Sequence, residues 1–145
     1  MNNWFECKVV YEKKSIDETP VKTTESYLID AISYTDAESR VLETVIPFSS
    51  LGEVTVSSIK RVKIAELFLS AAEADDRFYR CKVSLIAFDE KSNTEKRTAV
   101  QMLVQSSSLQ NALNKLISEM DSTLYEYEVL SIADSPIVEV LKLQL

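Results

Sequence analysis

The 145-residue chain contains no histidine, one glycine, three prolines and two cysteines. Without histidine there is no imidazole base, no Ser-His-Asp or Cys-His triad and no His-bearing zinc site. A single glycine, Gly52, excludes a P-loop or dinucleotide fingerprint, since both need several glycines at fixed spacing. Cys7 and Cys81 are far apart and neither has a CxxC partner, which excludes a four-cysteine metal site and a thioredoxin motif. No metal ligand set and no cofactor motif is expected. No apolar run approaches the ~18 residues of a membrane span. Met1-Asn2-Asn3-Trp4 carries no basic stretch leading into an apolar core, so no secretory signal and no membrane contact are expected. Reduced thiols then fit a cytoplasmic location.

Apolar residues make up 46% of the chain, enough for a packed core. The net charge of −7, from 16 basic and 23 acidic side chains, disfavours non-specific nucleic-acid binding, which depends on lysine and arginine at phosphates.

The sequence also repeats. Trp4-Phe5-Glu6-Cys7-Lys8-Val9 aligns with Phe78-Tyr79-Arg80-Cys81-Lys82-Val83, and 81 − 7 gives an offset of 74. Lys22-Thr23 and Tyr27-Leu28-Ile29 align with Arg97-Thr98 and Met102-Leu103-Val104, and 102 − 27 gives 75. Ala37, Arg40, Val41, Leu42 and Val45 follow at the same offset, matched by Ala112, Lys115, Leu116, Ile117 and Met120. Val56, Ser58, Ile59 and Glu66 align with Val129, Ser131, Ile132 and Glu139, and 139 − 66 gives 73. Near-constant offsets over four segments define two copies, residues 1–70 and 77–145.

Each copy reads as strand, strand, helix, strand, strand. Phe5, Cys7, Val9 and Tyr11 alternate with Trp4, Glu6, Lys8 and Val10, the period of a half-buried strand. Tyr79, Cys81, Val83 and Leu85 repeat the inward set. Polar turns at 13–22 and 89–96 lead into second strands at 24–31 and 99–106, with Asn93 placed to turn the latter hairpin. Thr35-Asp36-Ala37-Glu38 and Ser107-Ser108-Leu109-Gln110 resemble capping boxes. They predict helices at about 35–46 and 108–121, the first stopped by Pro47. Leu109, Ala112, Leu113, Leu116, Ile117 and Met120 form an apolar stripe on the second. Extended runs at 53–64 with 65–69, and 125–132 with 137–143, close the two copies. A unit of ~70 residues buries little core alone. The expectation is therefore one α+β domain over 1–145, two tandem ββαββ repeats packed with pseudo-symmetry around antiparallel sheet.

With those segments placed, the chain resembles a family known as domain of unknown function 4494, seen in Bacteroidota genomes and their phages. The resemblance runs through Trp4-Phe5-Glu6-Cys7-Lys8-Val9, Glu25-Ser26-Tyr27-Leu28-Ile29-Asp30-Ala31, and Ser58-Ile59-Lys60-Arg61 with Glu66-Leu67-Phe68. It continues in Ala74-Asp75-Asp76-Arg77, Cys81-Lys82, Asp89-Glu90-Lys91 and Thr98-Ala99-Val100-Gln101-Met102-Leu103-Val104-Gln105, the last being the most specific. It implies a small bacterial or phage protein. It carries over no catalytic residue.

Four features compete for a functional role. Cys7 and Cys81 occupy equivalent inward positions and read as buried thiols, a redox pair being the alternative. Asp75-Asp76 reads as solvated connector, with a metal or acid–base pair as its alternative. Lys60, Arg61 and Lys63, with Arg97 and Lys96 placed on a neighbouring strand, could take a small anionic, nucleotide-like ligand. Alternating charge on an edge strand explains them as well. Trp4, Glu6, Lys8, Phe78, Arg80 and Lys82 project away from the inward set and form the candidate interface, unless the final strands seal the two rings. The expected function is a non-enzymatic interaction or assembly protein, meeting a protein partner or a second copy through a strand face or edge. A small-ligand binder is the alternative, and an enzyme restricted to carboxylates is the remote third.

Overall fold

The computed structural model describes residues 3–142. The chain forms β1 (Trp4–Lys14), β2 (Pro20–Asp30), α1 (Tyr34–Val45), a 3-10 turn (Ile46–Phe48), β3 (Val54–Val62) and β4 (Glu66–Phe68). It continues with β5 (Arg77–Asp89), β6 (Thr94–Ser106), α2 (Leu109–Asp121), β7 (Glu126–Ser135) and β8 (Ile137–Leu141). Leu143, expected in the final strand, lies outside the described residues.

Ser33, two residues ahead of the expected cap, ends the extended chain before α1 with φ −160° and accepts the Asp36 amide on its hydroxyl at 3.1 Å. Asp36 reaches back to the amide of Ile32 at 3.0 Å. Ser108 caps α2 in the same way, through the amide of Asn111 at 3.1 Å. A serine wins over Thr35 because its position leaves the whole following turn free to be helical.

The two hairpins turn without glycine. Glu18 (φ 64°) and Asn93 (φ 53°) both take the left-handed conformation. Asn93 was legible as a residue that tolerates it. Glu18 is held there by a turn in which its amide bonds Ser15 O at 2.9 Å and Asp17 Oδ1 accepts the Thr19 amide at 3.2 Å.

Two mixed four-stranded sheets result, ordered β3-β1-β2-β8 and β4-β6-β5-β7. Antiparallel pairing, as expected, joins β1 to β2 and β3 and β5 to β6 and β7, but the sheets are mixed: β2 pairs β8 in parallel, and β4 pairs β6 in parallel. The final runs also close different sheets from those expected, since β4 joins the second sheet and β8 the first. Connector length explains this. β3 and β2 both run antiparallel to β1, so a strand beside β2 and parallel to it is also parallel to β3. Reaching that place from β3 needs a crossover of a dozen or more residues, spanning three strand spacings or ~14 Å. Residues 63–65 cannot provide it, and the same restriction applies to Pro136 after β7. The chain accordingly divides into two compact units, Met1–Lys63 with Pro136–Leu145, and Ile64–Ser135.

In the first unit α1 lays Ala37, Val41 and Val45 on Phe5, Cys7, Val9 and Tyr11 of β1 and Tyr27 and Ile29 of β2. In the second, Ala112, Leu116 and Met120 of α2 meet Tyr79, Cys81, Val83, Met102 and Val104. The buried row at i, i+4, i+8 is narrower than the expected stripe. Leu109 is 47% exposed and Ile117 38%, because a helix touches a sheet along one line and flanking positions look past it.

Candidate functional site

The most distinctive polar cluster joins β1 to β2. Tyr11 and Tyr27 are buried on the helix-bearing face, and both phenols donate to Glu25 Oε1, at 2.5 Å and 3.1 Å. Burial and the adjoining Glu25 carboxylate push Tyr11 up to about 12, and the same two causes raise Tyr27 further. Both phenols therefore stay neutral donors, and neither is available as a base near neutrality. At the matching offsets the second unit has Leu85, Val100 and Met102, so the network belongs to the first unit alone. Sequence reasoning missed it. A signal was present, since Glu25 shares the alternation of Tyr27 and Ile29 on β2.

The thiols are fully buried, each with 0% exposure, on the faces that carry the helices. Burial pushes Cys7 up to about 11, helped by Glu38 and Glu6, and burial alone raises Cys81 to about 11. A thiol so far from ionising is a poor nucleophile. Each packs in its own unit's core cluster.

The basic residues divide between the two sheets. Lys60 and Arg61 are exposed on β3 and Lys63 follows it, but β3 hydrogen-bonds only to β1. Arg97 lies on β6, in the other sheet, so it is not on a strand neighbouring β3. Its guanidinium is held by Glu128 at 2.7 Å and Glu95 at 3.2 Å, which raise its pKa. Arg61 donates to Asn3 Oδ1 at 2.7 Å, and Lys60 lies opposite Glu6 in the β1–β3 register.

Of the interface candidates, Lys8, Arg80 and Lys82 are exposed and Glu6 is half-buried. Trp4 and Phe78 retain only 5% and 4% exposure, so their rings offer no exposed aromatic patch. Alternation had placed them off the helix-bearing face, but alternation reports direction along a strand and not what covers that direction.

The connector after β4 is also structured. Asp75 Oδ2 accepts the Ser70 hydroxyl at 2.5 Å, while Gln105 receives the Ser70 amide at 3.0 Å and donates to Asp75 O at 2.9 Å. Asp75 thus holds a loop, and Asp76 is exposed beside it. Among the described residues no group of three or more His, Cys, Asp or Glu side chains is placed to hold a metal ion. No helix among them is long and apolar enough to cross a membrane.

A pair of cationic clamps escaped sequence reasoning altogether. Arg40 of α1 donates to the carbonyls of Asp30, at the end of β2, and of Lys142, just past β8, the latter at 2.7 Å. Lys115 of α2 donates to the carbonyls of Gln105 near the end of β6, at 3.3 Å, and of Leu69 just past β4, at 3.2 Å. Each cation ties a strand of its own hairpin to the short strand laid beside it.

The fold and these features define an α+β protein of two mixed sheets, each carrying one helix. Its sequence matches the family described as Domain of unknown function (DUF4494) over residues 3–143, and the chain belongs to that family. Among curated proteins no relative matches it.

Proposed function

We propose that this is a non-enzymatic assembly module, built from a tandem duplication, that associates through the edges of its sheets. The observation that carries this reading is the chemistry of the two long edge strands. β3 and β7 each hydrogen-bond to one neighbour within their sheets. Exposed Lys60 and Arg61 on β3, with Lys63 after it, make one edge basic. Exposed Glu126 and Asp134 make the other acidic, Glu128 being paired with Arg97. Opposite charge on two open edges steers one copy onto the next, and an edge-to-edge contact of unlike surfaces builds rings or filaments. A bulge in each strand, between the partners of Lys8 and Val9 and of Lys82 and Val83, limits regular pairing to the stretches on either side.

The duplication is supported by the offsets near 75, by serine caps at Ser33 and Ser108, and by the matched clamps of Arg40 and Lys115. A cytoplasmic bacterial or phage setting agrees with this reading. The anionic-ligand alternative retains Lys60, Arg61 and Lys63 but loses Arg97 to Glu95 and Glu128.

Sedimentation of the full chain tests the proposal. Association that weakens with salt and is lost in the triple variant Lys60→Glu, Arg61→Glu, Lys63→Glu is the expected result. A chain that sediments as a monomer at every concentration overturns it.

A further inference from the structure

We propose that the chain exchanges β8 with a second copy of itself, so that each copy's β8 completes the other's first sheet beside β2. This rests on the assembly reading above but uses a different edge.

The first sheet is unusual in where its strands come from. β3, β1 and β2 lie within the first 63 residues, whereas β8 arrives from the far end of the chain after all of the second unit. Its occupancy of that place is therefore set by pairing, with no short connection to β2 to enforce it. The join to β7 is the single residue Pro136. Proline there fixes φ and disfavours helix for the preceding residue, so the hinge stays extended.

β8 is held to its sheet by a short ladder and by Leu141, which packs against the first unit's core. β8 has five residues, four of which pair with Ser26, Tyr27, Leu28 and Ile29, with an irregularity after the first pair. Beyond the ladder, Arg40 fastens its end through the carbonyl of Lys142.

The place itself is specific. With β8 in place, Ser26, Tyr27, Leu28 and Ile29 have exposures of 7%, 5%, 0% and 0%, so vacating the β2 edge breaks the ladder beside a well-packed stretch. The one sequence known to fit that edge is Ile137–Leu141, which a second copy carries in identical form. Exchange replaces every bond with its equal and adds no new surface, which is why an identical element passes between copies at low cost. The β4–β6 ladder, with three pairs and the Lys115 clamp, offers the corresponding exchange in the second sheet.

The test uses two full-length variants, Ser26→Cys and Ile137→Cys, which alter register partners. They are distinguished by tag mass, mixed, unfolded, refolded together at increasing concentration and then oxidised. A covalent heterodimer that rises with concentration and is missing when either variant is refolded alone is expected. The double variant reports independently that the pair can close. If it closes within one chain at every concentration and no heterodimer forms, the exchange is overturned. Should a single variant fail to fold, lengthening the hinge after Ser135 with a Gly-Ser linker decides the matter without new thiols. Exchange predicts that the dimer is lost, because closure within one chain becomes easy, and a dimer unaffected by the longer hinge refutes it. The edge reading fails separately. Association without heterodimer leaves the charged edges responsible, whereas heterodimer that survives the Lys60→Glu, Arg61→Glu, Lys63→Glu change removes them.

Discussion

Cys7 and Cys81 sit with no exposed surface between a strand and a helix, and both titrate near 11. Native protein should resist a thiol reagent that labels the unfolded chain at once, and rapid labelling of either residue would contradict the packing. Replacing either by serine should destabilise by roughly 1–3 kcal/mol in urea unfolding, the cost of burying a hydroxyl in an apolar site. The same shifts predict a pH dependence. A folded pKa above the unfolded 9.0 means that the folded state holds the proton longer. Stability is then fully present below pH 9 and declines as pH rises through about 11, by about 2–3 kcal/mol per thiol. Tyr11 and Tyr27 extend the decline upward. Urea midpoints measured from pH 7 to 11 should be flat and then fall, and the variant Cys7→Ala, Cys81→Ala should fall less. Tyr11→Phe removes the 2.5 Å bond to Glu25 and should cost about 1–2 kcal/mol, with Tyr27 remaining as donor.

Among the elements, helices and strands were largely legible because their signals are local. The period-2 alternation from Phe5 to Tyr11 placed β1, and Ala112, Leu116 and Met120 placed the buried line of α2. Leu116→Ala should cost about 2–5 kcal/mol for the cavity it leaves. Ser33→Ala and Ser108→Ala should each cost about 1 kcal/mol, measured by thermal or urea unfolding. Which edge a short strand completes was not legible from its own residues, because alternation in β4 or β8 says only which side chains point inward. The information lay in the connectors, where residues 63–65 and Pro136 are too short for a return crossover. The clamps were hidden for a related reason. Arg40 and Lys115 bond backbone carbonyls, which any sequence supplies, so no partner residue betrays them. Arg40→Met should speed amide hydrogen exchange in β8 well before global unfolding, and Arg40→Lys should restore part of the protection. Equal exchange in all three proteins would deny the clamp.

At the level of the whole molecule, the two stretches aligned by offset and the two compact units have different bounds. Offsets near 75 divide the sequence after residue 70, yet contacts group Met1–Lys63 with Pro136–Leu145. The candidate site followed the same pattern. Residue types were readable, but which sheet each strand joins was not: Lys60 and Arg61 lie on β3 in the first sheet, with Lys63 just after it, and Arg97 on β6 in the second. The crossing also sets an order on biosynthesis. A ribosome delivers β1, β2, α1 and β3 early, at roughly 5–20 residues per second, but the strand that finishes their sheet is made only after all of the second unit. For most of translation the backbone of Ser26–Ile29 stands without its parallel neighbour. A released chain truncated after Ser135 should therefore be protease-sensitive within residues 3–63, while its second sheet, whose β4 precedes β5, has all four of its strands. Adding Ile137–Leu141 to that chain should then protect β1, β2, α1 and β3 in one step.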